Sequence, residues 1–287
     1  MKVVVTGAAG QMGRCLRLCA PSWARVTWCD KRLLDVTSPR SVGQSPVLRG
    51  ADVVINAAAF TAVDAAETHT PEATALNAQA PGLLARRCAE EGAHLIHLST
   101  DYVFGTAAPR RPLLPGDAVA PDTVYGRTKA EGERAVVAAG GKHTVVRTAW
   151  LFSGNVLPEH RDFVSTMLRL ADEGINPTVV SDQTGSPTFA LDLARALWHV
   201  AAEETGRGMM HLAGTGQATW YELACATFEA AGHDPARVQP VSSEQYPTAA
   251  HRPPWSVLDS SPSGRSLELP EWRSGLDRAV RATLSAP

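Results

Sequence analysis

A tyrosine and a lysine four residues apart are the residues of this chain whose types and spacing most directly suggest chemistry. Tyr125 and Lys129 lie in the segment 121–131, and on a helix they project from the same face. A phenol has an ordinary pKa of roughly 10, and a lysine ammonium beside it favours the phenolate and lowers that pKa. The pair suits a reaction in which an alcohol oxygen exchanges a proton while its carbon exchanges hydride. Taken alone, the spacing is also that of an ordinary exposed helix start.

A hydroxyl group at the end of a predicted strand adds to this pair. Thr100 ends the strand predicted over 94–100, and a hydroxyl there can hydrogen-bond a substrate oxygen and share its proton with Tyr125. Thr100, Tyr125 and Lys129 are therefore the predicted catalytic residues. The segment 105–121 between them is rich in Pro, Ala and Arg, which predicts a mobile loop at the mouth of the site.

A glycine-rich loop follows the first predicted strand, 2–6. It reads G-x-x-G-x-x-G from Gly7 to Gly13 and leads into a helix predicted over 11–19. Glycines permit the tight turn and let backbone N–H groups approach a pyrophosphate at the start of the helix. A strand, such a loop and a helix, in that order, indicate a dinucleotide-binding site. The cofactor contacts predicted here are Gly7, Gly10, Gln11 and Met12.

The end of the second predicted strand, 25–29, carries opposing signals about the cofactor. Asp30, about 17 residues past the third glycine, would bond the adenosine ribose hydroxyls and favour NAD. Lys31 and Arg32 follow it and could instead pair with the 2′-phosphate of NADP. We predict NADPH as the cofactor, with NADH also possible. Asp35, predicted with Val36 as a cofactor contact, could touch the adenine or could cap a helix that begins near residue 39.

Small residues end the third predicted strand, 51–59. Ala57, Ala58 and Ala59 would let a cofactor pass close to the strand end. Ligands of open α/β sheets bind beyond the carboxyl ends of the strands, so the loop predicted over 60–67 belongs to the site. Its candidate site residues are Thr61, Val63 and Asp64.

Two residues further along the chain are candidate ligand contacts. A strand predicted over 144–147 delivers Trp150 to the same sheet edge, where it could pack in the core or stack on a ring or sugar face. Arg252 could present its guanidinium to an anionic group such as a diphosphate.

The alternation of strands and helices predicts an α/β fold with a Rossmann-type doubly wound parallel sheet and a smaller C-terminal α/β lobe. We expect residues 1–150 to form the NAD(P)-binding domain and residues 151–287 mainly a substrate-binding lobe, with the chain crossing between the two. The elements predicted elsewhere are helices over 71–91, 162–172, 190–204, 219–231 and 270–284, strands over 177–181 and 209–212, and a polar turn over 182–188.

Composition limits the kinds of partner. The chain has 287 residues, 44% of them hydrophobic and 20% charged, with a net charge of −2. This charge gives no electrostatic basis for binding nucleic acid or an anionic membrane surface, and no apolar run reaches the roughly 18 residues of a membrane span. Five cysteines without metal-site spacing predict reduced thiols, and a strand at the very N-terminus leaves no room for a signal peptide. We predict a cytoplasmic protein.

Several motifs together resemble an extended short-chain dehydrogenase/reductase: 7–13, 56–64, 99–104 and 124–129. More closely, the chain resembles the dTDP-4-dehydrorhamnose reductase family, because 147–150, 163–169, 182–188 and 251–253 continue the match. The resemblance covers nearly the whole chain. It implies NADPH-dependent reduction of a dTDP-linked 4-keto-6-deoxyhexose, the last step in making dTDP-L-rhamnose.

The resemblance also implies roles for single residues. Tyr125 would protonate the oxygen at sugar C4 as nicotinamide delivers hydride to that carbon. Lys129 would hold the nicotinamide ribose and tune Tyr125, while Thr100 would polarise the carbonyl. The sugar-nucleotide pocket would be shaped by Thr61, Val63, Thr100, Asp101, Tyr102, Trp150 and Arg252.

The chain departs from the family pattern at two positions. Some members bridge two subunits with magnesium through a glutamate where this chain has Cys15. We therefore predict no metal, and a monomer or weak homodimer. Many members have Asn at the position of Asp162, which leaves the exact sugar open.

Other functions compete with this one. A 4,6-dehydratase commonly has Asp-Glu after the threonine, and Asp101-Tyr102 argues against elimination; a 4-epimerase is a further member of the superfamily. The high Ala, Arg and Pro content suggests a GC-rich genome, and antibiotic pathways are common in such genomes. A reductase of a related dTDP-4-keto sugar, such as one making dihydrostreptose, is therefore the second alternative. A non-catalytic NADP-binding regulatory subunit, like that of methionine adenosyltransferase, is the third alternative, which the intact Thr100, Tyr125 and Lys129 disfavour.

Overall fold

The computed structural model describes residues 1–203 and 208–282. Its strands are β1 Lys2–Thr6, β2 Arg25–Cys29, β3 Val53–Asn56, β4 His94–Thr100, β5 His143–Thr148, β6 Leu151–Phe152, β7 Thr178–Val180, β8 Thr184–Gly185, β9 Thr188–Phe189, β10 Gly208–His211, β11 Ala218–Thr219 and β12 Gln239–Val241. Its α-helices are α1 Gln11–Leu18, α2 Pro39–Gly43, α3 Val63–Ala66, α4 Thr70–Ala73, α5 Ala80–Glu91, α6 Val124–Ala138, α7 Phe163–Asp172, α8 Ala190–Ala201, α9 Trp220–Ala230 and α10 Trp272–Arg281.

Six parallel strands form the main sheet in the order β2-β1-β3-β4-β5-β10. The chain moves from β1 to β2 on one side and then returns to place β3 on the other side of β1. Such a reversal of strand order leaves a crevice at the carboxyl ends of β1 and β3, where α/β folds bind ligands. The predicted Rossmann-type doubly wound sheet is confirmed.

Alternate side chains of the central strands bury opposite faces of the sheet. Val3, Val5 and Ile55 pack with α1 and α8, whereas Val4 and Val54 pack with α5. Each of these five side chains is at most 1% exposed. Parallel strands covered on both faces need such continuous β-branched runs. Full burial of each side chain contributes about 1.5–3 kcal/mol before entropy is subtracted.

The C-terminal part contributes to two cores. Helices α7, α9 and α10 pack around Phe152 and Phe189 to form a smaller lobe. The helix α8 instead joins the main core, where the Trp198 Nε1–H donates to the Leu16 carbonyl oxygen at 3.0 Å. The strand β10 pairs with β5 in the main sheet. The chain therefore returns to the main sheet after residue 150, and the division into two domains at that residue stays a prediction.

Several predicted boundaries were wrong. The third strand ends at Asn56, so residues 57–59 follow it as irregular backbone. The loop predicted over 60–67 contains the helical turn α3, and the polar turn predicted over 182–188 contains β8 and the first residue of β9. A π-helical segment, Thr74–Gln79, lies within the helix predicted over 71–91. The helix predicted over 190–204 ends at Ala201, and the helix predicted over 270–284 begins at Trp272; the predicted ends Glu204 and Leu284 lie outside the described residues.

Candidate active site

The three predicted catalytic residues meet where β4 ends and α6 begins. Thr100 is the last residue of β4, and its hydroxyl lies near the Tyr125 phenol and donates to Asp101 Oδ1 at 2.9 Å. The Thr123 hydroxyl starts α6 by accepting from the Gly126 N–H at 2.9 Å, which places Tyr125 in the first helical turn. A Cβ on Gly126 would lie 2.4 Å from the Tyr102 carbonyl oxygen, so this close approach of helix and strand end requires glycine.

Lys129 is buried and points at the strand rather than at solvent. It is 2% exposed, and its Nζ donates to the Leu98 carbonyl oxygen at 2.6 Å. Burial lowers the pKa of Lys129 to about 8, against the opposing effect of Glu133. Tyr125 does not show the predicted lowering of its pKa. Burial raises the pKa of Tyr125 to about 12, because desolvation outweighs the opposing effect of the nearby Thr100 hydroxyl, and Asp101 raises it further.

Two positions of the glycine loop, 7 and 13, have no room for a side chain, whereas position 10 does. Gly7 has a φ of 67°, and a Cβ there would lie 2.6 Å from the Ala58 nitrogen. A Cβ on Gly13 would lie 2.5 Å from the Gly7 carbonyl oxygen, whereas a Cβ on Gly10 would meet only that oxygen, at 3.4 Å. Gly10 also begins α1 without a side-chain cap. The first N–H groups of α1 are thus available to an anionic ligand, beside Gln11 and the buried Met12.

Residues after β2 present two exposed cations. The Asp30 carboxylate accepts from the N–H groups of Arg32 and Leu33, both at 3.0 Å, and so closes the turn. Lys31 and Arg32 are exposed. Engagement of Asp30 by the backbone together with two exposed cations is compatible with a 2′-phosphate.

Asp35 does not cap α2, so that interpretation was wrong. The Ser38 hydroxyl caps the helix by accepting from the Ser41 N–H at 3.2 Å. The Asp35 carboxylate instead accepts from Thr37, from the hydroxyl at 2.6 Å and from the N–H at 3.0 Å, which lowers the pKa of Asp35. Val36 beside it is buried.

Two asparagines that sequence reasoning did not single out hold the edge of the sheet together. The Asn56 carbonyl accepts from the Thr6 hydroxyl at 2.6 Å, and its Nδ2 lies 3.0 Å from His97 Nδ1. Asn77, buried in the π-helical segment, accepts from the Phe60 N–H at 2.8 Å and donates to the Phe60 carbonyl oxygen at 3.0 Å. These bonds position the residues that precede α3, with Thr61 exposed and Val63 half-buried at its start. An asparagine inside a buried strand or helix was the available signal.

Arg252, although distant in sequence, lies beside Asp64 and Tyr102. Its guanidinium forms a bidentate ion pair with Asp64, with Nη1–Oδ1 at 3.1 Å, and lies near the Tyr102 hydroxyl. The ring of Tyr102 packs edge-on against Tyr125, with centroids 5.6 Å apart. Asp64 also accepts from the Ala250 N–H at 3.0 Å, and these bonds lower its pKa. The predicted anion-binding arginine thus lies beside Tyr102, aligned by the Asp64 carboxylate.

Trp150 has a strained backbone and an aromatic partner. Its φ of 46° makes it the non-glycine residue with positive φ among the described residues. Its ring stacks on Trp220 with centroids 3.6 Å apart and planes 4° apart, and Phe163 packs on Trp220 at 4.7 Å. All three rings are half-buried. Sequence reasoning missed Trp220 because it lies 70 positions away from Trp150.

The segment predicted as a mobile loop, 105–121, is tied to the rest of the protein. Leu113 exchanges backbone hydrogen bonds with Val257 and Asp259, both at 2.8 Å. Arg147 donates to the Pro115 carbonyl oxygen at 3.1 Å.

Comparisons with known proteins show which family the chain belongs to. The sequence profile described as RmlD substrate binding domain matches residues 1–285. The dTDP-4-dehydrorhamnose reductase of Mycolicibacterium smegmatis is 42% identical over 288 residues, which cover 99% of this chain and 86% of that protein. The chain belongs to the dTDP-4-dehydrorhamnose reductase family.

Two further proteins show the breadth of this family of sugar-nucleotide reductases. A probable dTDP-4,6-dihydroxy-2-methyloxan-3-one 4-ketoreductase of Streptomyces antibioticus is 41% identical, over 100% of this chain and 97% of that protein. A crystal structure of dTDP-4-dehydrorhamnose reductase from Bacillus anthracis, in complex with NADP, is similar with a TM-score of 0.89. It is 34% identical and covers 96% of this chain and 97% of that one.

One departure from the family pattern, Asp162, has a structural explanation. Its Oδ1 accepts from the Ser165 N–H at 2.8 Å and caps α7. Its Oδ2 accepts from the Ser153 N–H at 2.6 Å and from Gln11 Nε2 at 3.1 Å. A carboxylate can accept all of these bonds at once, so Asp162 ties α7 to the start of α1, beside the glycine loop.

The other departure, Cys15, lies in the main core. It is 0% exposed, and burial raises the pKa of its thiol to about 12. Over residues 1–203 and 208–282, no three His, Cys, Asp or Glu side chains gather in a way that could hold a metal ion. In the same residues, no helix has the length and apolar character needed to cross a membrane.

Proposed function

We propose that this chain uses NADPH to reduce a dTDP-linked 4-keto-6-deoxyhexose, with dTDP-4-dehydro-L-rhamnose as the expected substrate. The observation that carries the proposal is the meeting of Thr100, Tyr125 and the buried Lys129 at the edge where parallel sheets bind ligands. Membership of the reductase family and the NADP complex of the Bacillus anthracis relative support it.

The glycine loop and the residues after β2 would hold the cofactor, which supplies hydride when bound. The free N–H groups at the start of α1 suit a pyrophosphate, and the open space above Gly10 lets it approach the backbone. Lys31 and Arg32 would pair with the 2′-phosphate. Asp35 and Val36 would lie at the adenine, and Ala57, Ala58 and Ala59 would leave room along the end of β3.

Tyr125 would donate its proton to the oxygen at sugar C4. Its raised pKa of about 12 keeps the phenol protonated at neutral pH, which is the form that a reduction needs. An alkoxide is a far stronger base than a phenolate, so the transfer is favourable once charge develops on that oxygen. The Lys129 ammonium would hold a ribose hydroxyl and stabilise the phenolate that remains.

The arginine and the aromatic side chains would bind the rest of the substrate. Arg252, aligned by Asp64, would meet the diphosphate, and Tyr102 would lie between it and Tyr125. The stacked pair Trp150 and Trp220 offers half-buried ring surface to the sugar or the base. Thr61 and Val63 would complete the pocket.

A related dTDP-4-keto sugar is the second candidate substrate. The Streptomyces antibioticus relative, whose name is that of a different 4-ketoreductase, is 41% identical, against 42% for the dTDP-4-dehydrorhamnose reductase of Mycolicibacterium smegmatis. Such similar values give no preference between the two sugars. The cytoplasmic location and the monomeric or weakly dimeric state also stay predictions.

The test is NADPH oxidation with enzymatically generated dTDP-4-dehydro-L-rhamnose, with NADH in parallel. We expect turnover that falls by at least about a hundredfold in Tyr125→Phe, since the proton donor is removed. The control is Tyr246→Phe at an exposed tyrosine, which should keep full activity. Turnover only with another 4-keto sugar would move the assignment to that substrate. Binding of NADPH without turnover on any sugar would indicate a regulatory protein and contradict the proposal.

A further inference from the structure

One carboxylate joins the start of α1 to the smaller lobe. Asp162 Oδ1 accepts from the Ser165 N–H at 2.8 Å, inside the first turn of α7. Its Oδ2 accepts from the N–H and the hydroxyl of Ser153, at 2.6 and 2.7 Å, and from Gln11 Nε2 at 3.1 Å. A carboxylate suits this site because it only accepts, whereas asparagine has one acceptor oxygen and a donating NH₂ group. Asparagine would therefore lose its bonds on one of the two sides.

Gln11 is the cofactor end of this connection. It is the first residue of α1 and directly follows Gly10, where the helix begins without a side-chain cap. Its side chain donates to Ser153 Oγ at 3.2 Å as well as to Asp162. Its backbone N–H is one of the first in the helix, which have no acceptor within the helix. Gln11 thus offers its backbone to a pyrophosphate and its side chain to the smaller lobe.

The other end of the connection is a group of stacked rings. Asp162 caps α7, and the next residue, Phe163, packs on Trp220 with ring centroids 4.7 Å apart. Trp220 stacks on Trp150 with centroids 3.6 Å apart. These two tryptophans are the rings proposed above to meet the sugar nucleotide. A continuous series of contacts therefore leads from the glycine loop through one carboxylate to the substrate side.

We propose that Asp162 is a positioning residue that couples cofactor binding to sugar-nucleotide binding; this inference rests on the reductase function proposed above. A cofactor that engages the Gln11 N–H fixes the start of α1 and, through the bond to Asp162, the start of α7. The sugar nucleotide then meets rings that are already aligned and does not have to order them itself. Each ligand therefore strengthens the binding of the other by the same factor.

An exposed ion pair between the same two stretches of chain provides a matched control. Arg14, also on α1, pairs with Glu159, and their side chains are 38% and 56% exposed. Such an exposed pair contributes little. Neither oxygen of Glu159 bonds the first turn of α7, so Glu159→Gln removes a contact between these segments without touching the Asp162 carboxylate.

The test measures the affinity for dTDP-glucose by calorimetry, with and without saturating NADP⁺. This probe carries the base, the diphosphate and a hexose but no 4-keto group to reduce. We expect NADP⁺ to tighten its binding to the wild type by at least about fivefold, and by less than about twofold in Gln11→Ala and Asp162→Asn. Glu159→Gln should keep the wild-type ratio. A variant that only loosens the protein weakens binding with and without NADP⁺ alike, and leaves the ratio unchanged.

A second measurement needs no sugar nucleotide. We expect saturating NADP⁺ to slow amide hydrogen exchange over residues 162–168 in the wild type and to leave it unchanged there in Gln11→Ala. Exchange over residues 10–14 should slow in both proteins, which shows that the cofactor is bound. Gln11→Ala covers the case in which Asp162→Asn fails to fold, because alanine is the best helix former and keeps the backbone of α1.

The outcomes separate this inference from the proposed function. A wild-type ratio in Gln11→Ala, or a ratio near one in the wild type, would overturn the coupling while the reductase function stands. Loss of the ratio in Glu159→Gln would also overturn it, because any contact between the two segments would then suffice. If dTDP-glucose does not bind at all, the dTDP-sugar assignment is wrong, and hydrogen exchange still decides whether Gln11 and Asp162 connect the cofactor to α7.

Discussion

The two halves of the carboxyl edge of the sheet are built by different means. On the nucleotide side, at β1 and β3, backbone atoms lie so close together that a Cβ on Gly7 would come within 2.6 Å of the Ala58 nitrogen. On the substrate side, at β4 and β5, long charged side chains carry the structure, such as the buried pair of Arg147 and Glu133. We therefore expect the stability of the protein to be sensitive to side-chain volume on the nucleotide side and to side-chain charge on the substrate side.

The largest effect on stability is expected from the buried ion pair beneath the substrate side. Arg147 donates to both oxygens of Glu133, at 2.8 and 2.7 Å, and their side chains are 3% and 5% exposed. Arg147→Met leaves Glu133 charged and unpaired, so we expect a loss of about 3–5 kcal/mol in the free energy of unfolding, measured with urea. Arg169→Met breaks a pair whose side chains are 50% and 46% exposed and should cost less than about 1 kcal/mol. Equal losses would contradict the charge dependence of this side.

Volume should matter most on the nucleotide side. Gly7→Ala puts a Cβ into backbone atoms at a φ of 67°, and we expect about 1–3 kcal/mol of destabilisation together with loss of NADPH binding. Gly10→Ala meets only the Gly7 carbonyl oxygen at 3.4 Å, so stability should change by less than about 0.5 kcal/mol while NADPH binding still weakens. Thermal unfolding and fluorescence titration with NADPH separate the two outcomes. Unchanged NADPH affinity in Gly10→Ala would show that the cofactor does not pass over this loop.

The smallest effect on stability is expected where the two sides meet. Asp64 is 43% exposed, so Asp64→Asn should change the free energy of unfolding by less than about 1 kcal/mol. Loss of the alignment of Arg252 should instead raise KM for the sugar nucleotide by about fivefold, with kcat within about twofold. Steady-state kinetics with varied sugar nucleotide checks this. A change in kcat with KM unaltered would place Arg252 at the reacting carbon rather than at the diphosphate.

Some features of the site could be predicted because their causes are local. Such features can be recognised from residues close together in the sequence. They are the β-branched run of β1, the glycines after it and the four-residue spacing of Tyr125 and Lys129. The lowering of the Tyr125 pKa was predicted wrongly because helical spacing says nothing about burial, which raises that pKa. Lys129 bonds a carbonyl oxygen of β4, a contact that depends on how the helix packs on the sheet.

The sequence by itself determined the sheet, the glycine loop, the set of predicted catalytic residues and the family, since these follow from patterns a few residues long that recur together. Only the tertiary structure decided which side chains contact one another. These pairs are Asp101 with Thr100, Asp64 with Arg252, Asp162 with Gln11, and Trp150 with Trp220. The physical reason is that hydrogen bonds and ring contacts depend on distances of a few ångströms between atoms. Three of these four pairs are far apart along the chain, and the adjacent pair depends on how the turn after β4 is packed.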